Sequence, residues 1–396
     1  MDPQALKDSW ANTARHGDEV PLFFYSHLFL THPETRGMFP MSMAGQRDKL
    51  VAALGRIVSD VDRLDEVLPF IQQLGRDHRR FAVLAEHYPA VGESLLATLA
   101  HFNGAQWTEA LAGQWAEAYG LVAQVMTEAA EQAAQHSPPW WNGEIIGIER
   151  RGLDIAVLQV RTDHPYPYQP GQSAAVEFSR RPRLWRYLTP ANAPRADHTI
   201  ELHVKIVDGG QVSTALVQSA ALGDTLRIGA PVGTALVLPD DGADLLMVAG
   251  ATGLAPLRAL LEQLDRQWQA DRTERRVDLF HGVRTAFDLY EHQLLGELAA
   301  ARPWFRYVPV VSHDASFSGQ RGLVGDVAAG AGRWADRLCL VCGSPDMVRH
   351  TVSALGSAGV PAEQVRYDEF TPGTEPTPAP AAAATPGGIG GGRWGQ

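Results

Sequence analysis

In the stretch QQLGRDHRRF a histidine stands on an apolar stripe. Ile71, Leu74, His78 and Phe81 are separated by three, four and three residues, one face of a helix, while Arg76, Asp77, Arg79 and Arg80 point elsewhere. An imidazole there is either a core residue hydrogen-bonded to backbone or a ligand offered to a bound group. Tyr25 shares a helical face with Leu22 and Phe29, and Gln46 and Leu50 lie four apart on another helix. A single polar ligand, with a few donors elsewhere above an apolar floor, suits haem iron on one side and a diatomic ligand on the other.

Glycine turns supply further candidates. GGQVSTALV places Gly209 and Gly210 before a helix opened by Gln211, Val212, Ser213 and Thr214. Its free N–H groups make either an ordinary helix start after a turn or a pyrophosphate seat. AGATGLAPLRALL follows the apolar run LLMV and opens a helix, the strand–loop–helix setting in which Gly250, Thr252, Gly253 and Pro256 read as a nucleotide loop. LCLVCG holds the chain's two cysteines, Cys339 and Cys342. The spacing admits a redox dithiol or half a metal site. Residues three apart on a strand point to opposite faces, which favours two small buried side chains. Two cysteines cannot hold a four-thiolate iron–sulfur cluster.

The elements that must position these residues fall into three regions and a tail. Residues 1–137 keep apolar spacings of three and four through VPLFFYSHLFL, DKLVAALGRIV and QWAEAYGLVAQVM, with breakers between, and predict an all-helical domain. Over 138–239 the period falls to two: in IELHVKIV, Ile200, Leu202, Val204 and Ile206 share one face and Glu201, His203 and Lys205 the other. Several short strands in this span predict an antiparallel barrel. Over 240–370 apolar runs ending in glycine or polar residues alternate with helical stretches, which predicts a doubly wound parallel α/β sheet. The Pro/Ala/Gly-rich segment 371–396 predicts a disordered tail.

A length of 396 residues fits two or three domains, and the net charge of −11 argues against nucleic acid or an anionic membrane as partner. No apolar run approaches the ~18 residues of a membrane span. The start MDPQALKDSW lacks a basic-then-apolar signal pattern, and two cysteines suit a reducing cytoplasm.

Segments FFYSHLF, MFPMSMAGQRDKL, RDHRRF, HYPAVGESLLATL and QWAEAYG resemble the globin domain of flavohaemoglobins, bacterial proteins that fuse a globin to a ferredoxin-reductase-like module, and suggest a divergent, actinobacterial-like branch. The resemblance implies that His78 is the proximal iron ligand, Tyr25 the distal phenol, Gln46 the distal amide and Leu50 the apolar lid. It makes Phe39 the ring packed on the porphyrin and Tyr88 the proximal tyrosine. The family's proximal carboxylate position holds Ala130 here, with Glu131 next to it. One residue turns a helical side chain by about 100°, so either the helix shifts and Glu131 serves as the catalytic carboxylate, or the proximal network is weakened.

The rest of the chain up to residue 370 resembles the family's reductase half. LWRYLTPANAP occupies the place of an R-x-Y-[ST] flavin motif. Arg186 matches the arginine on FAD phosphate and Thr189 the hydroxyl near the reactive flavin nitrogen. The motif's tyrosine is replaced by Leu188; the neighbouring Tyr187 is a candidate to substitute in part at the flavin, although in an extended segment it should face the other way. By the same resemblance Gly210, Gln211, Val212, Ser213 and Thr214 hold pyrophosphate. Gly250, Thr252, Gly253 and Pro256 hold the nicotinamide nucleotide, Cys342, Gly343 and Pro345 border its ring, and Phe370 covers the flavin. Arg284 is placed to meet a 2′-phosphate, which leaves NADH and NADPH both open.

The implied cofactors are haem b, FAD and NAD(P)H. The implied reaction passes electrons through FAD to haem, with O₂ and nitric oxide as small-molecule substrates and nitrate as product. No separate electron-transfer partner is required, and a monomer or weak dimer is expected. The alternatives are a divergent oxidoreductase with another donor or acceptor, and a gas sensor whose reductase resets the iron.

Overall fold

The structure is a computed structural model that describes residues 1–272 and 275–370. The tail expected to be disordered lies outside the described residues. Six helices come first: α1 (Pro3–Ala14), α2 (Glu19–Thr31), α3 (Ala44–Ser59), α4 (Leu64–His78), α5 (Tyr88–Asn103) and α6 (Glu109–Ala134). Their starts are encoded locally. Asp2 accepts from the N–H groups of Gln4 and Ala5 ahead of Pro3, and the Thr108 hydroxyl accepts from Leu111 N–H. The end of α4 is set by a 3-10 turn, Arg79–Phe81, closed by Ala82 in the left-handed region at φ +57°. His78 is therefore the last residue of its helix, where the chain changes direction.

The apolar core of this helical domain is divided. One cluster contains Leu6, Phe24, Tyr25, Leu28 and Leu99, with Phe29, Phe39 and Leu50 partly buried against it. A second contains Val67, Ile71 and Met126, with Leu74 and Tyr88 against it. Helices α4 and α6 approach closely in the second cluster, because Gly75 has no side chain to hold them apart: a Cβ there would run into the Met126 carbonyl.

Strands β1 (Trp141–Arg151), β2 (Ile155–Thr162), β3 (Ser173–Phe178), β4 (Trp185–Leu188), β5 (Thr199–Lys205) and β6 (Thr225–Val232) form an antiparallel sheet in the order β4-β3-β6-β1-β2-β5, with helix α7 (Gln211–Gln218) between β5 and β6. A bridge from Pro190 to Leu202 draws the two edge strands together, so the sheet curls into the expected barrel.

The remaining strands are β7 (Leu245–Gly250), β8 (Val277–Val283), β9 (Phe305–Val311), β10 (Gln320–Arg321), β11 (Leu338–Gly343) and β12 (Val365–Glu369), in the order β10-β9-β8-β7-β11-β12. Every pairing in this sheet is parallel. Helices α8 (Leu254–Asp271) and α9 (His292–Ala301) pack through one apolar cluster, and α10 (Val324–Gly330) and α11 (Pro345–Ser357) through the other. Strand order reverses between β7 and β11, the switch point at which open α/β sheets bind ligands. No helix among the described residues is long and apolar enough to cross a membrane.

The close approach at Gly75 yields a prediction. Gly75→Ala should destabilise the helical domain by about 1–3 kcal/mol through overpacking, although alanine is the better helix former. Chemical denaturation of the full chain followed by helical circular dichroism checks this, and unchanged stability would contradict the packing described.

Candidate haem, flavin and nucleotide sites

His78 is half-buried, and its Nδ1 lies 2.6 Å from the Leu74 carbonyl oxygen, one helical turn back. A carbonyl only accepts, so Nδ1 carries the proton and donates it, and Nε2 is the nitrogen with the lone pair. Among the described residues no group of three or more His, Cys, Asp or Glu side chains is assembled for a metal ion. Iron here would thus need the porphyrin's own nitrogens plus one imidazole. The divided core fits that demand, with one apolar cluster carrying the candidate distal residues and the other reaching Leu74 beside His78.

On the other cluster Tyr25 is buried among aromatic rings, with Phe29 and Phe39 centroids 5.8 and 5.5 Å from its own. Its hydroxyl lies 3.4 Å from the Gln46 backbone oxygen. Burial pushes the phenol up to about 12, partly offset by a side-chain hydrogen bond with Gln46, so Tyr25 is a protonated donor at neutral pH. Leu50 packs on the same cluster one turn beyond Gln46.

Tyr88 opens α5 and is half-buried, and burial raises its phenol. Its backbone carbonyl accepts a 2.7 Å hydrogen bond from the Tyr119 hydroxyl. Glu131 is exposed, because the buried face of α6 is that of Met126 and Ala129. The carboxylate on Tyr88's side is Glu128. It lines a recess of about 400 Å³ together with Tyr88, Tyr119 and Gln124, and it accepts a 2.8 Å bond from Gln124. Family register pointed to position 130, so Glu128 escaped notice in the sequence.

In the barrel, β4 separates its residues by face. Leu188 packs against the barrel core, and Arg186 donates to its neighbour's carbonyl, Trp185 O, at 2.8 Å. Tyr187 instead meets the helical domain, its hydroxyl 3.2 Å from Arg80 Nη1. Thr189 is buried with its hydroxyl 2.7 Å from that of Ser173. Helix α7 begins after Gly209 at φ +72° and Gly210 as N-cap. Ser213 Oγ accepts from Val207 N–H at 3.2 Å and so ties the loop to the helix start, while Val212 anchors it in the core. Phosphate here would be held by backbone N–H groups at the turn.

At the switch point two glycine loops interlock. A Cβ on Gly253 would strike the Cys342 carbonyl, and one on Gly343 would lie 2.9 Å from Met347 Sδ and 3.3 Å from Gly250 Cα. Only glycine allows this approach, which leaves backbone exposed to a nucleotide at the strand ends. Thr252 lies in the 3-10 turn between the loop and α8, Pro256 in the first turn of α8, and Pro345 opens α11. Phe370 N–H donates to the Gly343 carbonyl at 2.9 Å and brings that ring to the same place. Arg284 is exposed beyond the end of β8. Both cysteines are buried in β11 with thiols raised by burial, which suits packing and not redox exchange.

The polar face of β5 was not legible as buried. The nucleotide domain covers it. His203 lies 3.0 Å from Glu201 and 2.9 Å from the Tyr290 hydroxyl, and Arg258 bridges Glu201 at 2.8 Å and Glu291 at 3.3 Å. These buried contacts fix barrel and parallel sheet together. Next to them His281 is fully buried and lies 3.1 Å from the Ala251 carbonyl, holding Ala251 at φ +47° in the nucleotide loop. Burial pushes His281 down to about 4.

Family comparison follows this architecture. The Globin family matches residues 22–126, the oxidoreductase FAD-binding domain 143–236 and the oxidoreductase NAD-binding domain 247–353. A flavohemoprotein of Bacillus subtilis is 24% identical over 93% of this chain and 96% of its own length. The ferredoxin–NAD(P)+ reductase component of a Pseudomonas putida naphthalene 1,2-dioxygenase system is 30% identical over 62% of this chain and 73% of its own. A Malassezia yamatoensis flavohemoglobin crystallised with FAD and haem shares the fold, with a TM-score of 0.74 at 18% identity over 93% of this chain and 98% of its own. A globin joined to a flavin- and nicotinamide-nucleotide reductase is the class that fold and site define. The chain belongs to the flavohaemoprotein family, takes haem, FAD and NAD(P), and is an NAD(P)H-dependent oxidoreductase.

His281 gives a pH prediction. Its folded-state value lies below the ordinary 6.5, so the fold binds fewer protons than the unfolded chain between pH 6.5 and 4. The stability it contributes is complete above 6.5 and is lost as pH falls toward 4, by up to about 3 kcal/mol. His281→Gln, which keeps a donor for Ala251, should flatten this slope in urea unfolding. An identical slope in the variant would assign it to other groups.

Proposed function

We propose that this flavohaemoprotein uses NAD(P)H to convert nitric oxide and dioxygen to nitrate in the cytoplasm, without a separate electron-transfer partner. One observation carries the reading: the 3-10 turn that directly follows His78 brings Arg80 into contact with β4, the strand of the flavin motif, on a chain that also holds the nucleotide module. When bound, the nucleotide supplies hydride, FAD divides it into single electrons, and haem iron provides the redox centre at which dioxygen meets nitric oxide.

The chain's own groups do the positioning. His78 presents Nε2 as the iron ligand while Leu74 fixes the ring through Nδ1. With Glu131 in solvent, the electron donation that a carboxylate would add through His78 falls to the weaker backbone carbonyl. Tyr25 and Gln46 donate toward the negative charge that builds on dioxygen. Leu50 would exclude water above the iron, Phe39 would pack against the porphyrin, and Tyr88 would close the proximal side. Arg186 and the turn Gly210–Thr214 would hold FAD phosphates, with Thr189 and Phe370 serving the flavin ring. The loops at Gly250–Pro256 and Cys342–Pro345 would seat the nucleotide, with Arg284 available to its ribose. Leu188, which removes a tyrosine hydroxyl from the flavin motif, favours a second reading in which the cofactors stay and the donor or acceptor differs.

His78→Ala should lose the five-coordinate ferrous haem spectrum, or most of the haem, and all nitric oxide consumption while FAD stays bound. A normal haem spectrum in that variant would sink the ligand assignment, and a wild type that oxidises NADH without consuming nitric oxide would favour the second reading. Tyr25→Phe removes a hydrogen bond worth about 1–2 kcal/mol, so dioxygen should dissociate roughly tenfold faster. An unchanged off-rate measured by flash photolysis would make Gln46 the main donor.

A further inference from the structure

Two residues beyond His78, Arg80 leaves the helical domain and enters the face of β4. Its side chain is 10% exposed and that of its partner Asp77 is 11% exposed, with 3.5 Å between Nη1 and Oδ1. The same Nη1 donates to the Tyr187 hydroxyl at 3.2 Å. The guanidinium lies 5.0 Å from the Phe81 ring centroid, 5.6 Å from Tyr187 and 5.9 Å from Trp185. Phe81 stands edge-on between the domains, its centroid 6.2 Å from His78 and 6.1 Å from Trp185. A nearly buried cation with three aromatic faces, a carboxylate and a phenol around it is held in one geometry, and each of those contacts strengthens as water is excluded.

We propose that Arg80, with Trp185 and Tyr187, is a positioning clasp that docks the flavin strand on the haem helix and so sets the rate of flavin-to-haem electron transfer. The inference rests on the cofactor assignments proposed above. It also accounts for Tyr187, which faces away from Arg186 and Leu188 and serves the domain seam while the opposite face of the strand serves the barrel. The step that depends on the clasp moves one electron from reduced flavin to ferric iron, which becomes ferrous. Two such transfers, the second once the proposed reaction with dioxygen and nitric oxide has returned the iron to ferric, use the electron pair of one hydride and leave its proton to solvent.

The test is anaerobic mixing of the full holoprotein with NADH, with flavin and haem bands followed separately, in wild type, Arg80→Met, Arg80→Lys and Tyr187→Phe. Arg80→Met keeps the apolar stem and removes the charge, the fork and the cation–π contacts. Flavin bleaching and the ferric and carbonyl haem spectra should be unchanged. Haem reduction should slow roughly ten- to a hundredfold, the scale of a small misplacement of reacting groups. Tyr187→Phe should slow it less, and Arg80→Lys should recover part of the rate, since lysine keeps the charge without the planar fork. Amide hydrogen exchange at residues 79–82 and 185–187 should rise in Arg80→Met. Wild-type haem reduction and exchange in Arg80→Met would overturn the clasp alone. A wild type whose flavin is reduced while haem stays ferric would overturn the functional reading and the clasp with it. If Arg80→Met loses a cofactor, Tyr187→Phe, one oxygen smaller, decides by the same two readouts.

Discussion

Residues 79–81 leave α4 in a single 3-10 turn, and His78 with that turn sends four consecutive side chains to three different places. His78 stays with the helical domain, bonded to Leu74. Arg79 reaches the connection to the barrel, donating to the Ser137 hydroxyl at 3.1 Å. Arg80 and Phe81 meet β4. Ala82 closes the turn in a left-handed conformation that costs a non-glycine residue about 1 kcal/mol or more. Placing this tight turn directly after His78 means that the position of the histidine and the docking of the barrel cannot vary independently.

A second seam repeats the idea with different chemistry. Between barrel and parallel sheet the contacts are buried ions, Glu201–Arg258–Glu291, flanked by His203 and Tyr290. Buried ion pairs contribute little net stability but are costly to break one partner at a time, so they select one arrangement over others. Aromatic–cation contacts on one side and paired charges on the other orient the flavin domain between its neighbours. The cofactors bring the redox chemistry, and these seams bring the geometry.

Much of this was legible along the chain. The helical, alternating and α/β periodicities marked three folds, and the spacing of His78 with Ile71, Leu74 and Phe81 was enough to single out the histidine. Two loop glycines have plain physical reasons: Gly253 meets the Cys342 carbonyl where no side chain fits, and Gly209 takes a positive φ. What was hidden depended on neighbours from other domains. His203 and Glu201 alternate with an apolar face and read as solvent-facing until the nucleotide domain covers them. Arg80 sits in a run of charges that is indistinguishable from a solvated surface. Glu128 and Glu131 both lie near the family's carboxylate position and both are exposed, and only the rotation of α6 sets Glu128, and not Glu131, on the recess that Tyr88 also lines.

If the two domain seams fix the cofactors relative to each other, electrons should pass within one chain. Anaerobic stopped-flow reduction of the full holoprotein by NADH, repeated over a wide range of protein concentration, tests this most directly. Ferrous haem should appear in a first-order phase after flavin reduction, with a rate constant independent of protein concentration. A rate constant that grows in proportion to protein concentration would mean that electrons travel between molecules, and would contradict a geometry fixed within one chain.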